Sequence, residues 1–563
     1  MAYEESIVRG ATDVPLIETT IAACFDQVVA RWPEREALVV RHQDVRWSYR
    51  EFGARVDALA ANLLQLGLQP GDRIGIWSQN CSEWVLTQFA TAKAGLVMVN
   101  INPAYRRHEL EYVLNKVGCT ALILAPSFKT SDYLDILRSL APELAECPPG
   151  ALAAAKLPQL KTVIRLGSEP SVGMRNFPDL LRPPTAAALA DLARVTATLT
   201  ANDPINIQFT SGTTGAPKGA TLTHRNILNN GFFIGEAMRL MEQDRLCIPV
   251  PLYHCFGMVL GNLACVTHGA AMVFPGEGFD AAGVLETVQA ERCTALHGVP
   301  TMFIAILDHP QFASFDLGSL RTGIMAGSPC PVEVMKKVID QMHMAQVTIA
   351  YGMTETSPVS FQSSCDDPVE RRVSTVGRIQ PHVECKVVDA DGQTVAWGEK
   401  GELLVRGYSV MQGYWNDPER TAEAIDAGGW MHTGDLGVID AEGYCNIVGR
   451  AKDMVIRGGE NIYPREIEEF LYGHPKVQDV QCVGVPDVKY GEELCACIIL
   501  RPGVTATEDE IRDFCRGEIA HYKVPRYVRF MDALPMTVTG KIQKFILRRK
   551  IAEELGLSEV KTA

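Results

Sequence analysis

Residues 204–228 read PINIQFTSGTTGAPKGATLTHRNIL. Ile205 to Phe209 has the apolar character of a buried strand, and a helical pattern begins at Asn226. Between them, Thr210–Gly219 gathers four hydroxyl residues and three glycines around one lysine. Glycines let backbone N–H groups approach an anion closely, and the hydroxyls add donors. Lys218 is a mobile point charge suited to terminal phosphates, and Pro217 keeps it off a regular helix. The order is not that of a P-loop NTPase, where Gly-Lys-Ser/Thr closes the loop. A surface turn has the same composition, but a strand before and a helix after favour a phosphate loop in an open α/β sheet.

Outward from this stretch, helical patterns alternate with short apolar runs up to about residue 380. DRIGIWSQN (72–80) and TALILAP (120–126) read as strands, and SYREFGARVDALAANLLQLG (48–67) as an amphipathic helix ending at glycine. That alternation predicts parallel sheets covered on both faces. Residues 141–158 are rich in Pro and Ala and read as a surface insertion. From 383 to 449 the texture turns to alternating strands with Asp391-Gly392 and Glu442-Gly443 turns, which predicts a small antiparallel β-barrel. Beyond it an α+β pattern predicts helix 464–472, strands 478–485 and 493–500, helix 507–520 and a strand near 526–531. The boundary falls at 450–453, giving domains 1–450 and 451–563.

The 563 residues carry a net charge of −14, which argues against nucleic-acid binding and against attraction to anionic membranes. The 16 cysteines show no zinc spacing and read as free thiols of a reducing cytosol. No signal peptide is expected from MAYEESIVRG. Residues 247–276 lack charged residues apart from histidine, yet prolines and glycines interrupt them, so a buried helix is expected there and not a membrane span.

Four further motifs bear on chemistry. In YGMTETS (351–357), after an apolar run, Tyr351 suits stacking on a base, Thr354 a phosphate, and Glu355 an oxygen ligand for Mg²⁺. In WMHTGDLG (430–437), Asp435 suits a ribose diol with Arg450 beside it. RGGENIYPREIEE (457–469) pairs two glycines before a helix with Pro464 at its start. LPMTVTGKIQKFILRR (534–549) sets Lys541 after Thr539-Gly540. Each piece alone has an ordinary reading as turn, cap or solvated lysine.

Together and in this order, the five motifs resemble the adenylate-forming superfamily of acyl-CoA synthetases, luciferases and peptide-synthetase adenylation domains. MQGYWNDPERTAEAID, GGWMHTGDLG, IVGRAKDMVIRGGENIYPREIEEFL and YKVPRYVRF resemble medium-chain fatty acyl-CoA synthetases most. The resemblance implies a large α/β adenylation (AMP-binding) domain of two parallel-type sheets plus the barrel, and a mobile α+β C-terminal domain hinged near Lys452. It implies ATP, Mg²⁺ and coenzyme A, with a carboxylic acid activated to an acyl-adenylate and passed to the CoA thiol. Thr210, Ser211, Gly212, Thr213, Thr214, Gly215 and Lys218 would hold the phosphates; Tyr351 and Gly352 would border adenine; Thr354 would meet the α-phosphate. Glu355 would bind Mg²⁺, Asp435 and Arg450 would serve the ribose, and Lys541 would bridge carboxylate and α-phosphate. Gly458, Gly459 and Glu460 would reach the pantetheine path and Lys523 the CoA nucleotide. His254, beside Tyr253 and Phe256, resembles an aromatic gate of the acyl pocket, expected among 251–261, 297–303 and 325–330. Transfer to a carrier-protein thiol and a non-catalytic acyl-binding role are the alternatives. Small molecules are the expected partners, without nucleic acid, and a homodimer is the assembly considered.

Overall fold

The computed structural model describes residues 5–210, 217–328, 330–450, 452–457, 460–487, 489–516, 518–537 and 540–557. Four larger sheets organise them. In the first, six parallel strands run through Arg73–Trp77, Val97–Asn100 and Pro204–Thr210. Two antiparallel strands, Lys218–Thr223 and Gly413–Tyr414, complete its eight. The second has nine strands, six of them parallel, including Arg245–Cys247, Ala295–Gly298, Thr322–Ala326 and Gln346–Gly352. The parallel strands are buried apolar runs such as Ala121–Leu124, as sheets covered on both faces require.

Local chemistry explains the helices that cover them. Tyr49–Gln65 starts at a reciprocal capping box between Ser48 and Glu51 and gives way to Gly67 at φ +89°. The expected helix in 247–276 forms in two parts: a wide-turn π-helix, Phe256–Leu263, runs into the α-helix Ala264–His268. Carbonyls of the wide turn find side-chain donors: Gln88 Nε2 bonds Met258 O at 3.0 Å and His297 Nε2 bonds Leu260 O at 2.9 Å. Residues 141–158 are more than a surface insertion, because Leu144, Leu152 and Leu157 are buried in the main core.

The antiparallel unit has five strands, Ile7–Arg9, Val383–Val388, Lys400–Gly407, Met431–Ile439 and Cys445–Arg450. Glycines at φ +78° and +83°, Gly392 and Gly443, turn its hairpins. The expected barrel is not closed. Its edges are the three-residue strand Ile7–Arg9 and the strand Cys445–Arg450, which do not pair among the described residues. So short an edge offers too few ladder groups for closure.

Beyond Arg450, a turn in which Asp453 N–H and Met454 N–H donate to Arg450 O leads to a sheet with its own core. Pro464–Tyr472, Val477–Asp487, Gly491–Leu500 and Tyr527–Phe530 match the expected elements. The helix expected over 507–520 is shorter, Glu508–Cys515, because Arg516 already has extended backbone.

Candidate active site

The hairpin of the opening stretch is antiparallel: Thr210 pairs directly with Lys218, and the helix starts only at His224. A strand therefore stands where a phosphate loop of the NTPase type would enter its helix. Gly413–Tyr414 pairs with the same hairpin and brings an aromatic under Lys218, whose Nζ lies 4.8 Å from the Tyr414 ring centroid. Glu355, in the turn after strand Gln346–Gly352, closes the cluster. Its Oε1 accepts from Thr210 Oγ1 at 3.0 Å and from the Tyr414 hydroxyl at 2.9 Å. Glu355 is 5% exposed. Burial and this carboxylate both raise the Tyr414 pKa, so the phenol stays protonated and donates. Tyr414 was not singled out from sequence; its signal was the GYW of the quoted MQGYWNDPE segment. Ser211, Gly212, Thr213, Thr214 and Gly215 lie outside the described residues.

A second cluster forms on the open sheet. Asp435 and Arg450 are cross-strand partners, with Arg450 Nε donating to Asp435 Oδ1 at 3.0 Å. The Tyr351 hydroxyl donates to Asp435 Oδ2 at 2.7 Å, across 84 residues of sequence. Burial first, and Asp435 second, push the Tyr351 phenol well up, while Asp435 raises the Arg450 pKa. Each carboxylate oxygen thus holds one donor and keeps lone-pair capacity for another. That matches the needs of a vicinal diol. At Gly352 a Cβ would stand 1.7 Å from Pro358 O, so the returning chain requires glycine.

Beside these clusters, with Tyr351, Gly352 and Thr354 on its wall, opens a cleft of about 630 Å³, counted to its mouth. His254, Phe256, Leu260, Val299, Thr354 and Lys541 are on its wall. All three segments expected to form an acyl pocket contribute to it. Lys541 arrives on the C-terminal unit through a close approach of two glycines at positive φ. A Cβ on Gly327 would lie 3.8 Å from Lys541 Cε, and one on Gly540 3.0 Å from Val299 Cγ2. Lys541 is exposed on the wall of this open cleft. Desolvation, then repulsion from Arg450, lower its pKa; Cys255, Glu355 and Asp435 oppose the shift. Burial and then Lys541 lower His254 to about 3, so its imidazole is neutral at neutral pH.

Two candidates stand apart. Lys523 donates to Glu466 Oε1 at 2.5 Å within the C-terminal unit, and Glu460 opens the strand Glu460–Ile462 of that unit. Neither lines the cleft. Gly458 and Gly459 lie outside the described residues. Lys452 sits in the turn joining the open sheet to the C-terminal unit.

Residues 25–415 match the family model described as AMP-binding enzyme, and residues 466–541 match the AMP-binding enzyme C-terminal domain. "Putative acyl-CoA synthetase YngI" of Bacillus subtilis is 51% identical over 96% of this chain and 99% of its own. The mitochondrial medium-chain acyl-CoA ligase ACSF2 of Mus musculus is 46% identical over 98% and 91%. The crystal structure of the anthranilate CoA ligase AuaEII with anthranoyl-AMP superimposes with a TM-score of 0.85 at 28% identity, covering 97% of this chain and 99% of that one.

Proposed function

The chain belongs to the AMP-binding enzyme family, and on that premise we propose that its acid is a medium-chain monocarboxylic acid and that Lys541 is its adenylation lysine. The activity is that of an AMP-forming acyl-CoA synthetase using ATP and CoA. In the first half-reaction a carboxylate oxygen attacks the α-phosphorus, the bond to the β-phosphate oxygen breaks, and pyrophosphate leaves. In the second the CoA thiol attacks the acyl carbonyl, its proton passes to solvent, and AMP leaves.

The observation that supports the assignment of roles is the place of Lys541 on the cleft wall, within electrostatic reach of both Glu355 and Asp435. A cation held there stabilises charge that shifts from carboxylate to phosphate. Thr210 and Lys218, facing each other, bind the β and γ phosphates together with Ser211–Gly215. Tyr351 and Gly352 border adenine, Thr354 meets the α-phosphate, Asp435 takes the ribose hydroxyls, and Arg450 holds Asp435. Glu355 fits Mg²⁺: its Oε2 takes no hydrogen bond among the described residues, and Mg²⁺ uses one or two carboxylates plus phosphate oxygens. When bound, the ion neutralises phosphate charge.

The chain folds as domains 1–450 and 451–563. Rotation of the second about Lys452 removes Lys541 before thiolysis and brings Gly458, Gly459 and Glu460 to the pantetheine path, with Lys523 on the CoA nucleotide. His254 gates the acyl cavity. Its wall of Phe256, Leu260 and Val299 favours an apolar tail without a second carboxylate. Among the described residues no helix is long and apolar enough to cross a membrane. All 16 cysteines are free, which suits a reducing cytoplasm. A homodimer is the proposed assembly.

The test is a panel of short, medium, long, aryl and dicarboxylic acids with ATP, Mg²⁺ and CoA, scored by pyrophosphate, AMP and thioester. Medium-chain monocarboxylic acids should give the highest kcat/KM. A preference for dicarboxylic or amino acids would overturn the substrate reading.

A further inference from the structure

The segment Val250–Cys255, which carries His254, has no regular structure of its own to hold it, since strand Arg245–Cys247 ends before it and the wide-turn helix starts at Phe256. Locally, His254 N–H donates to Pro251 O at 3.3 Å and His254 O accepts from Gly257 and Met258 N–H at 3.1 Å; the bonds of the residues around it go to the other sheet. Asn80, just past strand Arg73–Trp77, donates from Nδ2 to Val250 O at 3.0 Å and accepts from Leu252 N–H on Oδ1 at 2.8 Å. Asn100 Nδ2 donates to Tyr253 O at 3.0 Å, and the Cys255 thiol donates to Gln208 Oε1 at 3.2 Å. Asn80 and Asn100 lie at or beyond the carboxyl-terminal ends of parallel strands and Gln208 within the strand Pro204–Thr210; all three are buried, and Asn206 links Asn100 to Gln208. Four of the six residues in the segment are tied this way. His254 is between two of them, with its side chain on the cleft wall.

Asn80 is the one that grips the segment twice. A primary amide places a donor and an acceptor side by side on one planar group at every pH. Alanine would leave Val250 O and Leu252 N–H unpaired in a buried place. A carboxylate would keep the bond from Leu252 and set lone pair against lone pair at Val250 O, until a proton restored the donor.

We propose that Asn80 is a positioning residue of the adenylation reaction: by clamping Val250 and Leu252 across the two sheets it sets where His254 stands in the acyl cavity. This rests on the acyl-CoA synthetase reading above. The nucleotide contacts at Glu355 and Asp435 belong to other segments, so the effect falls on the acid and not on ATP.

The experiment measures KM for a medium-chain acid and for ATP by pyrophosphate release in wild type, Asn80→Ala, Asn80→Asp, His254→Ala and the Asn80→Ala/His254→Ala double variant. Asn80→Ala should raise the acid KM about tenfold, the scale of one buried bond lost, with ATP KM within about twofold. In the double variant the Asn80 effect should shrink, because its target is already gone. For Asn80→Asp the acid kcat/KM, as a ratio to wild type, should rise as pH falls from about 8 to 6, when the buried carboxyl takes up its proton. Glu83, Glu277 and His42 surround this position, and His42 is hydrogen-bonded to the Asn80 backbone. The carboxylates favour that protonation. The ratio to wild type removes the pH dependence common to both enzymes; His254, lowered to about 3, does not titrate in this window. If Asn80→Ala does not fold, Asn80→Asp at pH 6 carries the test. An unchanged acid KM, an equal rise in ATP KM, full additivity, or a flat pH ratio would each overturn the role of Asn80. A wild type that releases no pyrophosphate with any monocarboxylic acid would overturn the functional reading instead.

Discussion

The two ends of the cleft are built on opposite principles. At the nucleotide end every acid has its donors: Glu355 holds two hydroxyls, and Asp435 holds a phenol and a guanidinium. At the acyl end the wall is Phe256, Leu260 and Val299. Behind it the Tyr253 hydroxyl and His297 Nδ1 are buried with no hydrogen bond among the described residues, and burial lowers His254 and His297 to about 3 and about 4. One end orients charge in advance; the other excludes it. On the proposed reading, the contrast teaches how a single cleft would take a polyanion and a greasy tail. Preorganised dipoles stabilise charge without reorganising, whereas an apolar wall selects by shape and by the cost of desolvating anything polar.

Lys541 stands where the two ends meet, so its loss is the strongest way to break the contrast. Lys541→Ala should lower acyl-adenylate formation about 10²–10³-fold, the scale for removal of one transition-state donor. Conversion of a supplied acyl-adenylate to acyl-CoA should change little. Half-reaction assays decide it, and equal loss in both halves would mean that the lysine serves no separate adenylation state.

The nucleotide end is probed more gently by Glu355→Gln. The amide keeps the shape and the hydrogen-bond acceptor but removes the charge. The Mg²⁺ concentration for half-maximal pyrophosphate release should rise about tenfold, as for a charged contact made neutral, with the circular dichroism spectrum unchanged. Normal Mg²⁺ dependence would return Glu355 to a purely structural part in the cluster.

The smallest effect concerns stability at the acyl end. His297 is fully buried and its pKa of about 4 lies below the ordinary 6.5. The unfolded chain therefore takes up a proton that the folded chain refuses, and stability falls as pH drops from about 6.5 toward 4. The slope is at most about 1.4 kcal/mol per pH unit for one such histidine. His297→Gln should flatten the decline of the thermal midpoint over this window. An identical decline in the variant would place the acid sensitivity elsewhere.

Much of this was legible before any coordinates. The amphipathic pattern of 48–67 announced a helix ending at glycine, Gly392 and Gly443 announced turns, and the alternating apolar runs announced parallel sheets, because periodicity, positive φ and strand burial act within a few residues. Lys541, Asp435, Glu355 and Lys218 were readable as candidates because their chemistry is written in the immediate neighbours. Local signals misled where closure or length depends on distant partners. The antiparallel unit stayed open at a three-residue edge, and the Pro/Ala-rich stretch at 141–158 sank its leucines into the core.

By itself, then, the sequence determined which residues carry charge, where strands and helices begin, and which class of reaction those motifs suit. Only the tertiary structure decided that Thr210 reaches Glu355 across 145 residues, that Tyr351 donates to Asp435, and that Asn80 grips Val250 across 170. A side chain's type and local backbone preference are properties of a few neighbouring residues. Its hydrogen-bond partner and its dielectric surroundings exist only once the sheets have packed against each other.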